Sequence, residues 1–373
     1  MTFKSVYLGL CAGTAVGLTT LTPLAASAVD LAPGKTGSEG DFQDMKAFCG
    51  TKEIKVALSD GWGGNTWRKT SRAEFEAEAK KCPNITEVAY TDAAGNPEQQ
   101  IQDIQSLTAQ GFDVILVSFD FVQSNLRAMQ AAMNAGAAVV LYNTGLNVPA
   151  QEGVHYVSLV TPDQQQMGAL WGEWVARYLD GKGNVLPFGG TPGAQPTISY
   201  MEGWKSVLDK YPDIKVLEEP IVTNWDPAQY TKATTALLGK YEKIDMLLSD
   251  YTTGVMGAVR AFQAAGRPLV GITGVDSNEV ACFYDEVKAT EPKFQFATAT
   301  GANWITRLAL RKGVAFAQGI DDTEPSIVQV KLVADSLSGD PALKPNCDKS
   351  LPLDASLPSS QLTPDEFRAM LAK

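Results

Sequence analysis

Val114-Ile115-Leu116-Val117-Ser118-Phe119-Asp120 and, further on, Ala138-Val139-Val140-Leu141-Tyr142-Asn143-Thr144 share one plan: a short apolar run, then polar residues. A continuous apolar run, rather than an alternating one, marks a strand buried on both faces, the habit of parallel sheets covered by helices. The unit recurs in both directions along the chain. Ile54–Ser59 and Glu87–Tyr90 precede it, and Val154–Leu159, Asn184–Phe188, Ile214–Glu218, Met246–Leu248, Leu269–Ile272 and Phe294–Thr298 follow. Between the runs lie segments with apolar residues at helical spacing, such as Pro97 to Gln110, with Ile101, Ile104 and Leu107 on one stripe, and Asn303 to Gln318, with Ile305, Leu308 and Val314. Such alternation predicts an α/β fold of doubly wound parallel sheets.

The chain has 373 residues. Its first 28 combine one early cation, Lys4, an apolar Gly/Ala-rich run and the end Ala26-Ser27-Ala28. These are the parts of an export signal, with cleavage expected after Ala28. A lipoprotein reading through Cys11 is opposed by the bulky Leu10 before it. The remaining 345 residues (373 − 28) exceed what one hydrophobic core supports, so two lobes are expected. Net charge is −11, and −12 once Lys4 is removed. That acidity disfavours nucleic acid and anionic membrane as partners, because phosphate binding needs a basic patch.

Beyond residue 28 stand Cys49, Cys82, Cys282 and Cys347, an even number behind an export signal, which favours disulfides over free thiols. Cys49 lies just before the first strand and Cys82 closes the first helix. In a right-handed strand–helix–strand unit these points share one edge of the sheet, so we pair Cys49 with Cys82 and Cys282 with Cys347. The latter link would pin an irregular tail, residues 341–373, across a lobe. That tail reads as loop through Ser360, followed by a short helix opened by the capping box Thr363-Pro364-Asp365-Glu366. Residues 29–50 read as a leader, disordered from Val29 to about Gly40.

Ligands of open parallel sheets bind beyond the carboxyl ends of the strands. The residues there are Asp60 to Trp67, Ser118 to Asp120, Asn143-Thr144, Asn224-Trp225-Asp226, Ser249-Asp250-Tyr251 and Asp276-Ser277-Asn278. Amides, carboxylates and indoles recur, whereas arginine and lysine are nearly absent. Carboxylates and amides grip hydroxyl groups, and flat rings cover the C–H face of a sugar. An anionic ligand would call for arginine forks. Catalysis is poorly supported: the one histidine, His155, sits in an apolar run expected to be strand, and no GxSxG, P-loop or GxGxxG occurs. Paired carboxylates of a secreted carbohydrate-active enzyme remain an alternative, because their separation is invisible in sequence. No cofactor or metal is expected.

With Val114–Asp120, Glu202-Gly203-Trp204 ahead of Tyr211-Pro212-Asp213-Ile214, Asp250 through Ala258, and Gly271-Ile272-Thr273-Gly274-Val275-Asp276, the chain resembles periplasmic sugar-binding proteins of the ribose-binding type from about Lys55 to Leu332. The resemblance implies two lobes joined by three crossings, near Val157–Val160, Thr300–Gly301 and Ser326–Val328. The first lobe would comprise 51–157 with 301–326, and the second 158–300 with 327–340. It also implies a monomeric periplasmic receptor that closes on a small neutral sugar-like ligand and serves an ABC permease, with a chemotaxis or sensor role as a further possibility. Carried over by position, Asn65 and Trp67 match the first loop's amide and aromatic. Ser118 and Ser249 stand at amide positions, Asn143 at a sugar-gripping Asp, Trp225 at a stacking Phe, and Asp276 at an Asp. Thr144 and Tyr200 replace arginines and Thr300 a glutamine, which points away from ribose toward another monosaccharide, a polyol or a cyclitol. Asp120 and Asp250 complete the expected ligand-binding set.

Overall fold

Four-residue apolar runs such as Val114–Val117 can be buried completely only if both sheet faces are covered, and the chain builds that arrangement twice. The computed structural model describes residues 29–372. The expected export segment, residues 1–28 with Cys11 and the cleavage point, lies outside them. The strands are β1 (Thr36–Gly37), β2 (Ile54–Asp60), β3 (Ile85–Asp92), β4 (Val114–Ser118), β5 (Ala138–Tyr142), β6 (Ser158–Pro162), β7 (Gly183–Gly189), β8 (Ile214–Val216), β9 (Ile221–Val222), β10 (Met246–Leu248), β11 (Gly271–Val275), β12 (Phe296–Ala299), β13 (Ile327–Val328) and β14 (Leu332–Asp335). The α-helices are α1 (Thr66–Ala79), α2 (Pro97–Ala109), α3 (Val122–Asn134), α4 (Gln164–Tyr178), α5 (Gln195–Leu208), α6 (Pro227–Lys240), α7 (Thr252–Ala264), α8 (Asn278–Val287), α9 (Ile305–Gln318) and α10 (Pro364–Leu371).

The first sheet runs β1-β13-β6-β5-β4-β2-β3 and the second β14-β12-β11-β10-β7-β8, with β9 also on β7. All neighbours pair in parallel except β12 with β14. On one face of the first sheet Val56, Leu116 and Val140 meet Phe75 of α1 and Leu308 and Val314 of α9. On the other, Ile115 and Val139 meet Ile104 of α2 and Met129 of α3. The second sheet is covered by Tyr230, Val255 and Phe262 of α6 and α7 on one side. Trp171 and Trp174 of α4 and Trp204 of α5 cover the other. Side-chain caps start many of the helices, with Asn96 before α2, Asp163 before α4 and Asp226 before α6 each accepting backbone N–H bonds. Among the described residues no helix is long and apolar enough to cross a membrane.

Three expectations need correction. Residues 29–50 are not a disordered leader: Leu31, Met45 and Phe48 are buried in the first core, and β1 pairs with β13. The buried Lys312 ammonium of α9 donates to the carbonyls of Leu31 (3.0 Å) and Glu324 (2.8 Å) and lies 3.6 Å from the Asp322 carboxylate, so the segment supplies one of the acceptors this buried cation needs. The strand expected at Val154–Leu159 runs instead from Ser158 to Pro162. His155 precedes it in a turn, its Nδ1 accepting the Gln151 N–H at 3.0 Å. Since β6 and β13 both pair within the first sheet, the chain changes lobe after Pro162 and after Val328, a few residues beyond the expected points. The tail is pinned as expected: Cys282 joins Cys347, as Cys49 joins Cys82, and α10 packs through Phe367 against Ala73 and Ala77 of α1.

Candidate ligand-binding site

The carboxyl ends of both sheets face one cleft, and two of the passages between the lobes, at Pro162 and at Thr300-Gly301, contribute to its lining. From the first lobe come Asn65, Trp67 and Arg68 at the start of α1, and Asn143 after β5. From the second come Tyr200 of α5, Trp225 after β9 and Asp250 after β10, while Thr300 and Gly301 belong to the middle passage. Together they wall a cavity of about 100 Å3. A water needs roughly 10–15 Å3, so there is room for one small polyhydroxy molecule.

Each wall is held from behind. Asn65 caps α1, its side chain accepting the Arg68 N–H, which turns Trp67 toward the cleft. The Trp67 indole N–H donates to the Gly301 carbonyl at 2.8 Å, tying the ring to the middle passage. Trp225 follows Asn224, and both adopt left-handed backbone, φ 53° and 52°. Two such non-glycine residues in a row are strained, and strain of this kind is found where side-chain placement is functional. The indole N–H of Trp225 donates to Asp250 at 3.1 Å. Its ring lies on Gly190, where a side-chain carbon would stand 2.1 Å from a ring atom. Gly190 is thus a seat for the indole, while its neighbour Gly189 packs against Thr197. Asn143 also takes left-handed backbone, φ 54°, which asparagine tolerates.

Asp250 is the polar centre of the second-lobe wall. It is buried, and one oxygen accepts from Trp225 while the other has no hydrogen-bond partner among the described residues. Burial pushes its carboxyl up to about 6, partly offset by the bonds from Trp225 and Thr197. A buried polar atom left unbonded in a protein is uncommon, and this one belongs to a residue that lines the cavity. The one cation on the wall, Arg68, is gripped by Asp60 at 2.7 Å and Asp120 at 2.6 Å, all three side chains buried. Burial opposes its charge, but the two carboxylates outweigh that and raise its pKa.

Five residues of the expected set lie elsewhere. Ser118 is fully buried behind the wall, accepting the Gly61 N–H and donating to Asp120. Asp120 is engaged by Arg68 and, with Thr144, faces a wider cavity of about 870 Å3 at the mouth of the cleft. Ser249 is bonded to the Tyr230 hydroxyl at 3.1 Å and points into the second core. Asp276 turns from the cavity to the tail, where the Ser359 hydroxyl and the Gly301 N–H donate to it. Burial pushes it up to about 7. The tail, lying outside the regular strand–helix beat, gave no sign that it would claim this carboxylate. Arg68 and Met167 were not anticipated, and Tyr251 stood among the strand-end residues but outside the expected ligand-binding set. Arg68 follows Trp67 directly, and looking one residue past the loop into the helix would have found it.

This architecture, two parallel-sheet lobes with a walled cavity between them, can be set beside known proteins. The family model described as a periplasmic binding protein domain matches residues 56–289. The chain belongs to the periplasmic binding protein family. Among curated members, the xylitol-binding protein of Mycolicibacterium smegmatis is 28% identical over 237 residues, 62% of this chain and just under two thirds (65%) of that protein. The galactofuranose-binding protein of Escherichia coli is 24% identical over 225 residues, 60% of this chain and 70% of its own. In solved structures, an ABC transporter solute binding protein from Mycobacterium smegmatis with bound glycerol superposes with a TM-score of 0.66, and the fold is that of type I periplasmic binding proteins. It is 22% identical and covers 79% of this chain and 99% of its own, a likeness that shows the fold.

Proposed function

We propose that this periplasmic binding protein is the solute receptor of an ABC importer, a monomer that captures a small neutral monosaccharide, polyol or cyclitol in the periplasm without transforming it. The observation that carries the reading is a cavity faced by Trp67 from one lobe and Trp225 from the other and lined by Asp250, whose buried carboxylate keeps one oxygen without a partner among the described residues. A ligand hydroxyl donating to that oxygen satisfies it, and the indoles cover the C–H faces of a carbon skeleton. Arg68 already serves Asp60 and Asp120, so its charge is matched within the protein and an anionic ligand would have to compete for it. Sequence relatives named for xylitol and galactofuranose support a polyhydroxy ligand of this size. In this reading Asn65, Trp67 and Asn143 bind from the first lobe and Tyr200, Trp225 and Asp250 from the second. Rotation about the three passages closes the cleft and presents the closed form to the permease.

A thermal-shift screen with xylitol, glycerol, myo-inositol, pentoses and hexoses tests this. A ligand that binds only the folded state at 100 times its Kd adds about 2.7 kcal/mol of stability. At least one neutral compound should raise the melting temperature, while sugar phosphates and uronates should not. A shift from the anionic compounds alone would overturn the reading.

A further inference from the structure

After β14 the chain lies along the flank of the cleft and touches both lobes in alternation. It is anchored on the second lobe by the Cys282–Cys347 disulfide to α8. The Asn278 amide adds bonds to the carbonyls of Asp348 (2.8 Å), Leu351 and Pro352 (3.2 Å each). On the first lobe, Ser360 and the Gln361 N–H donate to Glu74 at 2.6 Å each, and Leu362 and Phe367 pack against α1.

The two sets of contacts interleave without slack. Asp354 accepts from Thr66 at the start of α1, in the first lobe. Its chain neighbours Leu353 and Ala355 accept the N–H groups of Glu279 (2.6 Å) and Asn278 (2.8 Å), in the second. The pattern repeats at Ser359, bonded to Asp276 and to Gly301 of the middle passage, next to Ser360 on Glu74. One residue of extended chain spans at most about 3.6 Å, so adjacent residues cannot stay on both lobes if those lobes part by much more than that.

We propose that residues 347–371 are a fourth tie between the lobes, beside the three covalent passages, and that this tie restricts opening of the ligand-free receptor. Opening must break the Thr66–Asp354 bond or strip the strap from α8, so the tail weights the balance between open and closed forms. Any ligand that prefers one form then has its affinity set in part from outside its own cavity.

The test needs no ligand and is therefore independent of the functional reading. Spin labels on exposed Gln110 and Lys210, one on each lobe, report the inter-lobe distance distribution by pulsed electron resonance in the full disulfide-bonded chain. The parent should give one narrow distribution. Asp354→Ala, at an exposed position that the core does not depend on, should broaden it, and Asp354→Ala with Ser359→Ala should add a separate, longer-distance population. Melting curves and thiol counts identify folded, oxidised samples, and the single variant keeps the test decisive if the double variant does not fold. A parent distribution that is already broad, or folded variants indistinguishable from the parent, would overturn the proposal.

Discussion

Trp225 joins an unfavourable backbone, a hydrogen bond to Asp250 and a glycine seat at one point of the cleft wall. Stacking contributes roughly 0.5–1.5 kcal/mol beyond the area an aromatic ring buries, so Trp225→Ala should weaken ligand binding at least tenfold in calorimetric titration. Gly190→Ala should weaken it too, because the added carbon displaces the indole. Binding equal to the parent in both variants would remove the indole from the site. Asp250 makes a second, pH-dependent prediction. Its folded carboxyl holds a proton up to about 6, whereas an unfolded aspartate releases it near 4. Between those values the native state binds more protons, so stability falls as pH rises through the window. Asp276, pushed up to about 7, extends the fall. Melting temperatures of the ligand-free protein should therefore decline less steeply between about pH 4 and 6 in Asp250→Asn than in the parent; parallel slopes would contradict this. At this scale the sequence exposed the residue types of the wall, since amides, indoles and a carboxylate at strand ends are visible in one dimension. It hid which way each side chain turns. Ser118, Ser249 and Asp276 all follow strands, yet each is claimed by a protein partner that the order of residues does not reveal.

Elements were more legible than side chains, for a physical reason. A strand buried on both faces must be apolar throughout, so β4, β5 and β10 stand out as continuous runs whose limits in the structure fall within a residue of those expected. The short strands β1, at the sheet edge, and β13 beside it, two residues each, carry no such signature, and their pairing is what ties residues 29–50 to the first sheet. The disulfides follow from the same topology. Cys49 and Cys82 meet because a strand's start and the preceding-edge end of a helix share one edge of the sheet, with Cα atoms 5.3 Å apart. Cys282 and Cys347, 65 residues apart in sequence, close a larger loop. In the chain-entropy model such a closure contributes about 4 kcal/mol. Replacing both Cys282 and Cys347 by serine should lower the free energy of unfolding in urea by up to that amount while leaving the far-UV dichroism of the native protein in place. An unchanged midpoint would mean that the tail is held by its hydrogen bonds and α10 alone.

At the scale of the whole molecule, binding and movement meet at the same atoms. Trp67 bonds the Gly301 carbonyl, Asp276 bonds the Gly301 N–H, and Gly301 lies in the middle passage, so the cavity wall is also part of a connection between the lobes. The first lobe is suited to move as a body, because α1 and α9 are locked by buried pairs of Arg307 with Glu78 (2.9 Å) and Arg311 with Glu78 (2.8 Å) and Glu324 (2.9 Å). Breaking a buried pair from one side costs about 3–5 kcal/mol, which holds such lobes intact while they rotate. A ligand bridging Trp67 and Trp225 touches both bodies at once and favours the closed arrangement. The most direct test is calorimetric titration of the parent and of Trp225→Ala with the neutral compound that most raises the melting temperature. The account predicts one ligand per chain for the parent and at least a tenfold loss of affinity in the variant. Equal affinities, or no saturable binding of any neutral sugar, polyol or cyclitol to the parent, would contradict it.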